Sequence, residues 1–113
     1  MKRLMGVGIS IAAAALLSAA PAQADVDTDF TNLLHTYGIY GQKDYNAWIA
    51  KITCKRLHNN LDKDATMSAK FIHDQLVLDS TTEQAWQFLG AALRMYCPDK
   101  LPILDQAAAA QQS

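Results

Sequence analysis

Two cysteines, Cys54 and Cys97, restrict what this chain can fold into more than any other feature. Each falls on the apolar side of a segment with helical periodicity. Cys97 also stands directly before Pro98. A helix must stop there, because proline has no N–H to donate and crowds the preceding turn. Whether the two thiols pair depends on the compartment, since disulfides persist where the surroundings are oxidising.

The N-terminal residues speak to that. Lys2 and Arg3 precede an uncharged apolar run, Met5 to Ala20, and Ala22-Gln23-Ala24 supplies a small-x-small step. Residues 1–24 therefore read as a secretory signal peptide, with cleavage expected between Ala24 and Asp25. The apolar run is shorter than the ~20 residues a spanning helix requires. The expected location is secreted, extracellular or cell envelope. In such a compartment two cysteines leave one intramolecular pairing, Cys54 with Cys97. That bridge closes a loop of about 43 residues, worth roughly 4 kcal/mol by loop entropy. A small domain has little more net stability than that. No C-x-x-C redox pair is present, and two distant thiols do not make a metal site.

Periodicity and end signals predict an all-α fold, a small bundle of about four short helices stapled by one disulfide. The first is "DTDFTNLLHTYG", capped by Asp27 or Thr28, with Phe30, Leu33, Leu34 and Tyr37 inward and Gly38 as its stop. The second runs from about Asp44 to His58. Its apolar face is Tyr45, Trp48, Ile49 and Ile52, extended sideways by Ala47, Ala50, Cys54 and Leu57. The third runs from about Ala65 to Leu76 after Asp62 or Asp64, burying Met67, Phe71, Ile72 and Leu76. The fourth opens on "STTE", where Ser80 and Glu83 have capping-box spacing. Trp86, Leu89, Leu93, Tyr96 and Cys97 follow on one face. The expected organisation is thus a signal peptide at 1–24, a helical domain at 25–100 and a flexible tail at 101–113, which has alanines but little to pack.

Without Lys2 and Arg3, eight basic side chains face eleven acidic ones. A mildly acidic domain of this kind is a poor partner for nucleic acid or an anionic membrane surface. The expected partner is another protein or an envelope component. No second segment is apolar enough to span a membrane.

The order of motifs resembles a known family. Phe30, Leu33 and Leu34 precede "YGI" at Tyr37 to Ile39. Cys54 and Leu57 lie in "CKRL". Ala85, Phe88, Leu89 and Ala92 lead to "YCP" at Tyr96 to Pro98. This is similar to the domain of unknown function 732 family of small exported mycobacterial and actinobacterial proteins, over about Asp27 to Pro98. The resemblance implies export, a helical fold and a disulfide, and it implies no activity. Family members often carry a glycine after the cysteine–leucine step. This chain has Asn59-Asn60, and asparagine tolerates the left-handed backbone that glycine would serve.

No catalytic residue is assigned. His35, His58 and His73 read as solvated or packed histidines, and Ser80 as a cap. The candidate ligand or partner surface is His35, Tyr37, Tyr40, Tyr45 and Trp48, clustered in "HTYGIYGQKDYNAW". Two readings follow. One is a non-enzymatic binding module whose exposed aromatics meet a partner. The other is a carrier of haem, ligated by His35 or Tyr37, or of a small apolar ligand. A third arrangement leaves Trp48 and Trp86 in the core, with the tyrosines at its edge and their hydroxyls wet.

Overall fold

The computed structural model describes residues 22–112. The expected signal peptide, apart from its last three residues, lies outside them. The chain forms α1 (Ala22–Thr36), α2 (Lys43–His58), α3 (Ala65–Gln75) and α4 (Thr82–Tyr96). A single 3₁₀ turn (Pro98–Lys100) and α5 (Pro102–Gln112) complete it. Among the described residues there is no strand. The all-α reading therefore holds, with five helices among the described residues where about four were expected.

The helix ends follow local chemistry. Gly38 sits at φ +76°, with its N–H on the His35 carbonyl and the Ile39 N–H on the Leu34 carbonyl. This Schellman closure buries Ile39 against Leu34 at the end of α1. α2 ends the same way. Asn60 takes the left-handed position at φ +59°, the Asn60 N–H meets the Leu57 carbonyl, and the Leu61 N–H meets the Arg56 carbonyl. Asparagine does serve there in place of glycine. Asp64 caps α3 by accepting from the Met67 N–H at 3.0 Å.

Four local expectations need correction. α1 begins five residues before Asp27, so Asp27 does not cap it. Instead it accepts the Tyr96 hydroxyl and lies 3.6 Å from Lys51 Nζ. The capping box of α4 is one residue later than expected. Thr81 accepts from the Gln84 N–H at 3.0 Å, and Gln84 Oε1 accepts from the Thr81 N–H at 2.9 Å. Gln84 has a second task that Glu83 does not share: its amide donates to the carbonyls of Tyr37 and Gly38, tying α4 to the end of α1. Met67 is exposed, and α3 instead buries Ala65, Ser68, Ala69 and Ile72. Finally, the expected flexible tail is a helix from Pro102. Leu101, Ile103, Leu104 and Ala107 lie against the core, so the tail does have a surface to pack on.

The core is built on Phe30 and Leu34 of α1, Ile49 and Leu57 of α2, Ile72 of α3, and Phe88, Leu89 and Leu93 of α4. Phe30 meets both Phe88 and Tyr96 edge-on, ring centroids 5.2 Å apart in each case. Edge-to-face contact aligns the ring quadrupoles favourably. Cys54 and Cys97 are joined by a disulfide, their Cα atoms 6.0 Å apart, which pins α2 to the end of α4. Buried Thr53 turns its hydroxyl back onto the Ile49 carbonyl at 2.8 Å, so it costs the core no unpaired polar atom.

Candidate functional site

α2 carries two of the five candidate surface residues, Tyr45 and Trp48. Its inward face is Ile49, Ala50, Thr53, Cys54 and Leu57, with Asn46 and Ala47 at its start. That stripe of mostly small side chains lets the neighbouring helices come close. It leaves the largest side chains of α2 on the outside: Trp48 is 51 % exposed and Tyr45 is 45 % exposed. The expected inward placement of Tyr45 and Trp48 is thus corrected. Trp86 is half-buried and packs against the core from outside it.

The five candidate residues form two ring pairs and one anchored tyrosine. His35 and Tyr40 lie with ring centroids 5.0 Å apart at the α1–α2 turn. Tyr45 and Trp48, one turn apart on α2, stack at 6.0 Å and 27°. Tyr37 belongs to neither pair. Its hydroxyl accepts from Arg94 at 3.4 Å and its carbonyl accepts from Gln84 at 3.2 Å, so it helps hold α4 to α1.

The Tyr45 hydroxyl donates to the Gln75 carbonyl at 3.4 Å, which places the stacked pair beside the last residue of α3. Two residues on, Val77 and Leu78 are 70 % and 103 % exposed. Sequence reading passed over them. The available signal was an apolar pair in "QLVLDS" that continues neither helical face. Exposed apolar side chains gathered in this way mark interaction surfaces more often than scattered ones do.

The histidines away from this surface have structural partners. His58 Nε2 lies 2.9 Å from Asp99 Oδ2, linking the end of α2 to the 3₁₀ turn after Cys97. That hydrogen bond is the main reason Asp99 is held below its ordinary carboxylate value. His73 donates through Nε2 to the Ser80 carbonyl at 3.0 Å, spanning the α3–α4 connection. No helix among the described residues is long and apolar enough to cross a membrane.

Comparison with known proteins places this architecture. The chain is 51 % identical over 102 residues to the uncharacterized protein Rv0559c of Mycobacterium tuberculosis (strain ATCC 25618 / H37Rv), covering 89 % of each chain. It is equally similar, over the same share of each chain, to the uncharacterized protein MT0585 of Mycobacterium tuberculosis (strain CDC 1551 / Oshkosh). No solved structure matches it. The family model described as protein of unknown function (DUF732) matches residues 25–99, from the residue after the expected cleavage point to just past "YCP", and the chain belongs to that family.

Proposed function

We infer that this is a non-enzymatic binding module, exported and working outside the cytoplasm or at the cell envelope. Its partner is another protein or an envelope component, met through the outer face of α2. One observation carries the reading: the stacked Tyr45–Trp48 pair stands in solvent, tied to the Gln75 carbonyl just before exposed Val77 and Leu78. Large aromatics held outside the core supply contact area at low entropic cost, as interface anchors do. The Cys54–Cys97 bridge suits an oxidising compartment. The family match starts at Asp25, where the exported chain is expected to begin.

The test is affinity capture from culture medium and from envelope extract, using the parent protein beside Trp48→Ala and Leu78→Asp. Both positions are exposed, so the variants are expected to melt like the parent. A partner retained by the parent and lost by both variants supports the surface. Equal capture by all three removes it. Mass spectrometry of the exported protein checks the compartment separately, with a mass beginning at Asp25 expected.

A further inference from the structure

Three neighbouring openings lie along α3, α4 and α5. The first, of about 240 Å³, has buried Ala69 and Ala85 at its floor and Trp86 on its wall. Trp86 also walls the second, of about 320 Å³, opposite Leu104, Ala107 and Ala108 of α5. The third, of about 210 Å³, shares Thr66 with the first and Ala107 with the second. The groove stays open because alanines line it where larger side chains would close it. The walls mix alanine and tryptophan with threonine and charged side chains, which suits a guest with both a hydrocarbon and a polar part.

The charges around Trp86 are lopsided. Asp74 lines the first opening and Glu83 the second, so each of the two openings that Trp86 walls has a carboxylate at its edge. Against them the rim carries one ammonium, Lys70. His73 is already committed to the Ser80 carbonyl. An indole face is the strongest aromatic partner for an ammonium ion, and quaternary ammonium groups are recognised in this way. Ala69 and Ala85 at the floor offer a hydrocarbon chain apolar contact.

We propose that the groove around Trp86 binds an apolar cation, an amine or quaternary ammonium group carried on an unbranched hydrocarbon chain. The cation lies against Trp86 between Asp74 and Glu83, and the chain runs along Ala69 and Ala85. This site shares no residue with the α2 surface and stands or falls apart from it.

Trp48→Phe leaves Trp86 as the sole tryptophan and therefore as the reporter. That protein is titrated with decyltrimethylammonium well below its micellar range, and separately with decanoate. A saturable change in Trp86 fluorescence is expected with the cation, with decanoate binding at least tenfold more weakly. Ala108→Phe fills one opening, and Asp74→Asn with Glu83→Gln removes the carboxylates; each is expected to weaken the cation at least tenfold. All three positions are exposed, and thermal melts confirm the fold. No saturable response, equal binding of decanoate, or undiminished binding by the folded variants overturns the proposal. Should a variant melt early, the comparison of the two amphiphiles decides alone.

Discussion

Arg56 grips Asp62 through two parallel N–H donors: Nε lies 3.0 Å from Oδ2 and the second guanidinium nitrogen 2.8 Å from Oδ1. Asp62 is 3 % exposed and also accepts from the Ser68 hydroxyl at 2.9 Å. The guanidinium in turn lies 4.2 Å over the Phe71 ring. A single pair thus locks the turn after α2 onto α3. Removing the cation leaves a buried carboxylate with one neutral donor, which is far costlier than replacing both partners. Arg56→Ala is expected to lower stability by about 3 kcal/mol, read from the urea midpoint at neutral pH. A loss below about 1 kcal/mol would show that water replaces the guanidinium.

The disulfide sets the next expectation. Its loop spans a sequence separation of 43 and includes the whole of α3 and α4. Opening it restores roughly 4 kcal/mol of chain entropy to the unfolded state. Cys54→Ser with Cys97→Ser is therefore expected to lower the melting temperature by more than 15 °C or abolish a cooperative melt. Titration of unfolded native protein without reductant is expected to find no free thiol. Two reactive thiols there would contradict the bridge.

The cap of α4 separates two adjacent hydroxyls. The Thr81 side chain accepts from Gln84, whereas Ser80 contributes its backbone carbonyl, to His73. Thr81→Ala is expected to cost about 1 kcal/mol and Ser80→Ala only a few tenths. Gln84→Ala is expected to cost more than either, because it also frees the end of α1. Chemical denaturation of the three variants side by side checks the order.

Tyr96 gives the fold a sensitivity to alkali. Burial, and then the hydrogen bond it donates to Asp27, push its phenol well above the ordinary value near 10. The folded chain therefore holds this proton more tightly than the unfolded chain does. The contribution is fully present below about pH 10 and is lost as pH rises beyond it. Urea midpoints are expected to fall as pH rises above about 10, and Tyr96→Phe is expected to flatten that slope. An unchanged slope in Tyr96→Phe would assign the alkaline loss to other groups.

Most of the helical plan was legible in the residues. Gly38 and Pro98 mark ends because their backbones permit little else there, and Asn60 could be seen to stand in for a glycine. Two cysteines admit one internal pairing, so the staple needed only the compartment. The core residues of α4 were readable because its large apolar side chains share one stripe. Of the exposed large apolar side chains, Tyr45 and Trp48 were singled out from the sequence, but Val77 and Leu78 were not, since a connection between helices has no periodicity to read.

The sequence by itself determined where α1 to α4 end and where α2 to α4 begin, to within a few residues, and which cysteines join. Those outcomes depend on bonds within a few positions, or on there being one possible pair. The tertiary structure alone decided which face of α2 turns inward and whether residues after Pro102 pack. On α2 the apolar residues cover too wide an arc for periodicity to choose among them. The choice went to Ala47, Ala50 and Cys54, because small side chains and a disulfide let neighbouring helices approach, and Trp48 was left in solvent. α5 ordered for the complementary reason: Leu104 and Ala107 look unpartnered until α3 and α4 have formed the surface they cover.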